Sequence, residues 1–200
     1  MRKKVAITGG IGSGKSTLMQ LIKDSGYDVY SCDEIYQDIF KSEEYIEKIK
    51  HFFPCAISNN TIDKKALAKI IFEDQAARNT LNNIAHPLIM HELEKSMNDS
   101  CGDLVFAEVP LLFEAELEKF FDEIIVVMRN QADRIDAVIN RDKTTIAQVR
   151  KRIDAQVDYQ SETMQYRMQK CNAFVIYNNG DIAHLKKQWM AFLNKLNRQM

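Results

Sequence analysis

Eight residues near the start of the chain have the types and spacing of a phosphate-binding loop. Residues 9–16, Gly-Gly-Ile-Gly-Ser-Gly-Lys-Ser, fit the pattern G-x-x-x-x-G-K-[ST] between an apolar segment and a helical one. Glycines let successive backbone N–H groups turn toward an anion, and the helix N-terminus adds partial positive charge. Lys15 can then reach the β- and γ-phosphates, and the Ser16 hydroxyl can bind Mg²⁺. We therefore predict a nucleoside-triphosphate site lined by Gly10, Ile11, Gly12, Ser13, Gly14, Lys15, Ser16 and Thr17.

Two carboxylates lie at the ends of predicted strands, and each has two interpretations. Asp33, just after the strand at 27–32, could accept the proton of an acceptor hydroxyl and hold it in line with the γ-phosphate. It could also cap the helix that starts near Glu34, and the two roles are compatible. Glu108 ends a later strand, where it either lies near Mg²⁺ through a water or faces solvent.

Basic side chains farther along the chain are open to two interpretations as well. Arg134 and Arg141 lie seven residues apart, hence on one face of a helix, as suits a lid that clamps phosphate charge. A solvated helix face also explains them. His86 precedes Pro87, a pair that usually marks a break in a helix. The histidines lack the spacing of metal ligands.

The elements that must position these residues follow from the apolar pattern. Strands are predicted at 3–8, 27–32, 103–109, 123–128 and 173–177. Helical patterns separate them, and several strands are continuously apolar, as strands covered on both faces are, so we predict an α/β fold with a parallel sheet. The long stretch between the second and third strands is itself helical, at 35–40, 45–53, 65–72 and 81–97, with Pro87 interrupting the last helix. We expect this insertion to form a binding wall.

The composition excludes several classes of protein. Of 200 residues, 46% are apolar and 28% are charged, which rules out a disordered chain, and a net charge of −1 gives no sign of a nucleic-acid partner. The apolar runs are too short to cross a membrane, the N-terminus lacks the pattern of a signal peptide, and the four cysteines are scattered. We expect a cytoplasmic protein, a monomer or weak oligomer, with no nucleic-acid or membrane partner.

A triphosphate site alone fits a kinase, a hydrolase or a nucleotide switch. A GTPase switch needs Asp-x-x-Gly just after the third strand, but the match at 99–102 precedes that strand. Residues 194–197, Asn-Lys-Leu-Asn, lack the aspartate that would read guanine. Two alternatives stay open beside the kinase described next: a kinase for another small alcohol or a nucleoside monophosphate, and an ATP-dependent switch without an acceptor.

An ordered set of motifs along nearly the whole chain resembles the dephospho-coenzyme A kinase family. The phosphate loop is shared by many families, but the ordered set is specific. It comprises residues 8–17, Asp33, Ile62-Asp63-Lys64 with Leu67 and Phe72, His86-Pro87-Leu88-Ile89, Val109-Pro110-Leu111-Leu112-Phe113-Glu114, Arg141-Asp142, Arg152-Ile153 with Gln156, and Ile176-Tyr177-Asn178-Asn179-Gly180.

The resemblance implies an adenylate-kinase-like P-loop kinase fold with five parallel strands. It also implies a division into core segments at 1–33, 104–131 and 171–200, a helical substrate insertion at 34–103 and a helical lid at 132–170. The implied reaction moves the γ-phosphoryl group of ATP, with Mg²⁺, to the ribose 3′-hydroxyl of dephospho-coenzyme A. The product is coenzyme A, and the step is the last in its biosynthesis.

The same resemblance implies roles for single residues. Asp33 would be the general base, while Lys15 and Arg141 would stabilise the transferring charge. Asn179 and Gly180 would lie at the nucleotide base. The residues implied for the acceptor are Thr8, Asp33, His86, Pro87, Leu111, Leu112, Phe113 and Glu114.

Some positions depart from the family pattern. Ser31 stands where an aspartate is usual, and Gln37 and Ala137 stand where arginines are usual. Glu108 replaces a common aspartate and keeps the charge. Arg134, one turn before Ala137, is the candidate to compensate for the missing arginine there.

Overall fold

The computed structural model describes residues 2–198, and the chain forms two compact units. One unit contains residues 2–29 and 100–198, and the other contains residues 30–99. The second unit covers most of the predicted insertion, with boundaries at 30 and 99 against the expected 34 and 103. Met1 of the predicted 1–33 segment, and Gln199 and Met200 of the predicted 171–200 segment, lie outside the described residues.

Strands and helices alternate along the described chain. The strands are β1 Lys3–Thr8, β2 Asp28–Ser31, β3 Ile57–Ser58, β4 Thr61–Ile62, β5 Leu104–Glu108, β6 Glu123–Met128 and β7 Phe174–Tyr177. The helices are α1 Lys15–Asp24, α2 Cys32–Ile39, α3 Glu43–Phe52, α4 Lys64–Glu73, α5 Gln75–Asp99, α6 Gln131–Asp142, α7 Ile146–Asp154, α8 Glu162–Lys170 and α9 Ile182–Asn197. Among residues 2–198, no helix is long and apolar enough to cross a membrane.

The five longer strands form one parallel sheet in the order β2-β5-β1-β6-β7. Val5–Ile7 of β1 and Ile124–Val127 of β6 are buried, as expected for continuously apolar strands covered on both faces. From α9, Trp189 packs against Phe106 of β5 with the ring centroids 5.2 Å apart. The predicted five-stranded α/β fold is therefore confirmed.

The unit of residues 30–99 has a core of its own. Tyr45 and Ile49 of α3 are fully buried there, together with Leu67 of α4 and Leu81 of α5. The Tyr45 hydroxyl lies 3.0 Å from the hydroxyl of Tyr36, and burial raises the pKa of Tyr45 well above its usual value. This packing explains why the long helical stretch between two strands forms a compact unit.

A small hairpin in this unit is absent from the sequence prediction. Strands β3 and β4 pair antiparallel across Asn59 and Asn60, both in the left-handed region with φ of 50° and 57°. Asparagine tolerates that region better than most residues, so the pair suits a tight turn. Two residues per strand are too few to show alternation, and only the Asn-Asn pair could have signalled the hairpin.

Helix α5 corrects the predicted break at His86-Pro87. The helix runs without interruption from Gln75 to Asp99 and contains Pro87. Proline removes one backbone hydrogen bond and disfavours a helix interior. Leu81 and Ala85 before it, and Leu88 and Ile89 after it, pack into the same core, so burial on both sides offsets that cost.

His86 makes the stability of this helix dependent on pH. Burial lowers the pKa of the imidazole below 6.5, so the folded protein favours the neutral form. As pH falls below 6.5, the unfolded chain binds more protons than the folded one, and stability decreases, by no more than about 1.4 kcal/mol per pH unit. In urea unfolding at pH 7.5 and 5.5, we expect His86→Gln to lose less stability on acidification than the wild type. Equal losses in the two proteins would contradict this assignment.

Candidate active site

The phosphate loop joins β1 to α1, as the sequence predicts. Gly14 caps the helix in the left-handed region with φ of 94°, and its carbonyl accepts the N–H groups of Thr17 and Leu18. The Lys15 ammonium donates to the carbonyl oxygens of Gly9 and Gly10, at 2.8 and 3.3 Å. The Lys15 cation therefore lies over the backbone of the phosphate loop. The N-terminus of α1 lies at the end of this loop, and a helix N-terminus attracts anions.

The glycines of the loop lie close to atoms from other parts of the chain. A Cβ at Gly12 would lie 2.4 Å from the carbonyl oxygen of Arg134, and one at Gly14 would lie 2.0 Å from the side-chain nitrogen of Asn178. A Cβ at Gly10 would lie 2.4 Å from the Arg134 guanidinium. Three glycines of the loop are thus packed against other parts of the chain.

Arg134 is the arginine that the structure brings to the phosphate loop. Its Nε donates to the carbonyl oxygen of Ile11 at 2.9 Å, and burial lowers the pKa of its guanidinium. Arg134 also lines a cavity of about 420 Å³ together with Gly10 and Ser13 of the loop and Arg129 beyond β6. Ser13 is 1% exposed, and its hydroxyl has no hydrogen-bond partner among residues 2–198. The cavity places two arginines next to the loop, which suits an anionic ligand.

Arg141, predicted to share a helix face with Arg134, lies in the last turn of α6. Its guanidinium donates to the Asp142 carboxylate at 2.7 and 3.2 Å, and Arg152 donates to the same carboxylate at 2.7 Å. The hydrogen bond from Arg141 is the main reason that the pKa of Asp142 falls to about 2. The same bond, with a smaller contribution from Glu108, raises the pKa of Arg141. Arg141 is thus paired within its own segment and exposed.

The two predicted magnesium ligands lie in the same unit as the loop. Ser16 is exposed in the first turn of α1, and Glu108 is half-buried at the end of β5. Among residues 2–198, no three His, Cys, Asp or Glu side chains form a group that could hold a metal. This donor set fits Mg²⁺, which is usually bound by one or two protein oxygens, several waters and the phosphates of the substrate.

The segment Val109–Glu114 lies beyond β5, and its side chains point in different directions. Leu112 and Phe113, predicted to contact the acceptor, are 0% and 1% exposed, so they belong to the core. Leu111 is 42% exposed. The Glu114 carboxylate accepts the backbone N–H of Val157 at 3.2 Å. Leu111 and Glu114 are therefore the exposed side chains of this segment.

Asp33 belongs to the other unit, in the first turn of α2. The cap of this helix is Ser31, whose hydroxyl accepts the N–H of Glu34 at 3.4 Å, so the prediction that Asp33 caps the helix is wrong. Asp33 is exposed, and Gln37, one turn later, is exposed on the same face. His86 is half-buried and Pro87 is exposed, both within α5 of that unit. Asp33 therefore does not cap this helix.

The loop after β7 holds the residues predicted at the nucleotide base. The Asn179 side-chain oxygen, Oδ1, accepts the backbone N–H of Asn130, the cap of α6, at 2.9 Å. Its neighbour Asn178 donates to the carbonyl of Ser13 at 3.0 Å. Gly180 is exposed, and a Cβ there would lie 3.2 Å from His184. The contact of this loop with the phosphate loop runs through Asn178.

Tyr159 contacts the phosphate loop from the connection between α7 and α8. Its hydroxyl lies 3.2 Å from that of Thr8, and both side chains are buried, so Thr8 faces Tyr159. Burial raises the pKa of Tyr159 to about 12. Sequence reasoning identified neither Tyr159 nor the contact of Asn178, because no local pattern marks a side chain that packs on a loop far away in the chain.

Comparisons with known proteins point to one family. The family model for dephospho-CoA kinase matches residues 3–184. A dephospho-CoA kinase of Fusobacterium nucleatum is 32% identical over 186 residues, which cover 92% of this chain and 93% of the relative. A solved structure from Thermus thermophilus has a TM-score of 0.84 at 29% identity, with 98% of both chains covered.

A fourth comparison bears on the fold alone. The solved dephospho-CoA kinase of Campylobacter jejuni has a TM-score of 0.68 at 24% identity and covers 100% of this chain and 99% of its own. The predicted P-loop kinase fold is confirmed. Because the family model spans residues 3–184 of 200, the chain belongs to the dephospho-CoA kinase family.

Proposed function

We propose that this chain transfers the γ-phosphoryl group of ATP to the ribose 3′-hydroxyl of dephospho-coenzyme A, giving coenzyme A and ADP. The observation that carries the proposal is the family match over residues 3–184, which include both the phosphate loop and the segment Val109–Glu114. The alternative of an ATP-dependent switch without an acceptor is not favoured, because relatives over nearly the full length are named as kinases.

Lys15 and Arg134 supply positive charge on the donor side. In the proposed complex the Lys15 ammonium exchanges the carbonyls of Gly9 and Gly10 for phosphate oxygens, where negative charge grows in the transition state. Arg134 already contacts the loop. It takes the role of the arginine that the family pattern has at position 137, where this chain has alanine. Arg141 is proposed to join this cluster, and Asp142 holds its guanidinium through Nε and Nη2.

Ser16 and Glu108 are the residues proposed to hold Mg²⁺, Ser16 directly and Glu108 through a water. When bound, the ion neutralises charge on the β- and γ-phosphates. Ser16 is exposed at the start of α1, so its hydroxyl is open to such a ligand. Glu108 keeps a carboxylate at the end of a parallel strand, the edge at which ligands of α/β sheets bind.

Asp33 is the proposed general base. As the 3′-oxygen forms its bond to the γ-phosphorus, the carboxylate accepts the hydroxyl proton, and the bond from the γ-phosphorus to the bridging oxygen breaks to leave ADP. Asp33 suits this role because it is exposed and because Ser31 caps the helix in its place. Leu111, Glu114, His86 and Pro87 remain the proposed acceptor contacts. Thr8, Leu112 and Phe113 are buried, so their proposed part is to support the backbone of their own unit.

A coupled assay of ADP release tests the function directly. We expect dephospho-coenzyme A to accelerate ADP release well above hydrolysis by water, and mass spectrometry to identify coenzyme A as the product. Nucleoside monophosphates and other small alcohols serve as parallel acceptors. If dephospho-coenzyme A gave only the rate of hydrolysis, the proposal would fail, and a faster rate with a nucleoside monophosphate would favour the second kinase hypothesis.

A further inference from the structure

The connection between α7 and α8, residues 155–161, is tied to the phosphate loop and to the segment beyond β5. The Gln156 side-chain oxygen accepts the N–H of Ile11 at 2.7 Å. The Tyr159 hydroxyl meets Thr8, and the Val157 N–H donates to Glu114. Within this connection, Gln156 therefore contacts the phosphate loop, Tyr159 contacts Thr8 just before it, and Val157 contacts the segment proposed for the acceptor.

Ile11 is held on both sides of its backbone. Gln156 accepts its N–H, and Arg134 donates to its carbonyl oxygen at 2.9 Å. A backbone N–H and C=O that are both bonded to side chains from outside the loop leave this residue little freedom to rotate. The N–H of Ile11 is committed to Gln156, so phosphate binding falls to the later part of the loop and to the start of α1.

A loop with four glycines in six residues gains most from such support. Glycine has the largest backbone freedom of all residues, and freedom that is lost only when a ligand binds weakens the binding. Gln156 is half-buried, and its bond to Ile11 is short and uncharged. It can order the loop before ATP arrives without adding negative charge next to the triphosphate.

We propose that Gln156 is a positioning residue, which holds the Ile11 N–H and so orders the phosphate loop for the triphosphate. Gln156 acts through the loop and takes no part in bond making or breaking. The inference rests on the proposed function only in that ATP is the ligand of the loop. Its effect belongs to ATP binding, and the acceptor site does not depend on it.

Gln156→Met tests the hydrogen bond at nearly constant side-chain volume. By calorimetry with ATP and Mg²⁺, we expect the Kd of ATP to rise about tenfold, since a lost bond of this kind is worth about one factor of ten. The KM for ATP should rise by the same factor, with the KM for dephospho-coenzyme A unchanged and the thermal midpoint lowered by only about 2–4 °C, because the same bond also contributes to folding. Gln169→Met makes the same replacement at an exposed position of α8 and should bind ATP as the wild type does.

Gln156→Glu separates the bond from the charge. The carboxylate keeps an oxygen that can accept the Ile11 N–H but adds a negative charge, so ATP binding should be weaker than in the wild type at low salt. The ratio of the two Kd values should approach one as salt rises, because salt screens the added charge. If Gln156→Met lowers the thermal midpoint strongly, the salt dependence of ATP binding to Gln156→Glu still tests the role of Gln156.

Two results would overturn the role of Gln156. One is a Gln156→Met variant that folds normally and binds ATP within twofold of the wild type. The other is a Gln156→Glu variant whose loss of affinity stays the same at every salt concentration. Failure of the proposed function looks different: the wild type would bind ATP, but dephospho-coenzyme A would not accelerate ADP release.

Discussion

Asp33→Asn is expected to lower kcat by about 10²- to 10⁴-fold, the usual contribution of a general base. Asparagine keeps the size of the side chain but cannot accept the proton of the acceptor hydroxyl at neutral pH. The Kd of ATP should stay within about twofold of the wild type, because Asp33 is proposed to act on the acceptor. Steady-state kinetics together with calorimetry separate these two effects.

Glu34→Gln is the matched control for Asp33→Asn. Glu34 also lies in the first turn of α2 and is exposed, so the control removes an acidic charge from the same helix end. Such a charge stabilises a helix by only about 0.3–1 kcal/mol, and Ser31 still caps it. The control should keep its kcat. A near-normal kcat in Asp33→Asn would contradict the role of Asp33 as the general base.

Lys15→Ala is expected to lower kcat by about 10²- to 10³-fold, as the loss of one charged group at a transition state does. The ammonium balances charge that grows on the γ-phosphoryl group, so turnover should suffer more than ATP binding. The variant also frees the carbonyls of Gly9 and Gly10, which accept from Lys15 in the structure. Single-turnover kinetics at saturating ATP measure the effect on the chemical step.

Lys23→Ala provides the comparison for Lys15→Ala. Lys23 is exposed in the last turn of the same helix, α1, and carries the same charge. Its removal should leave single-turnover rates unchanged, apart from a small loss of helix stability. Equal rates in Lys15→Ala and the wild type would show that the loop does not hold the transferring phosphate.

The sequence predicts the sheet better than the rest of the fold, for a physical reason. β1 and β6 have the predicted limits because their apolar runs are buried on both faces and end at polar or glycine residues. β5 is one residue shorter at each end than the predicted 103–109, since Asp103 and Val109 lie just outside the ladder. Local composition sets the centre of a strand, and pairing with neighbours sets its ends.

Features that depend on distant contacts could not be predicted in the same way. Pro87 breaks helices in general, and only the core on both sides of it keeps α5 continuous. Ser31 reads as a departure from a family pattern, yet it caps α2. The Gln156 contact with Ile11 joins residues that are 145 positions apart, so spacing along the chain contains no trace of it.

The contacts of the phosphate loop restrict where a lid could pivot. The predicted lid runs from 132 to 170, yet Arg134 at its start and Gln156 and Tyr159 within it all bond to the loop or its flank. A rigid-body movement of residues 132–170 would break all three bonds and disturb the phosphate loop. Residues 135–155 lie between these anchors. A hinge inside this span would let α7 and the end of α6 move while all three bonds are kept.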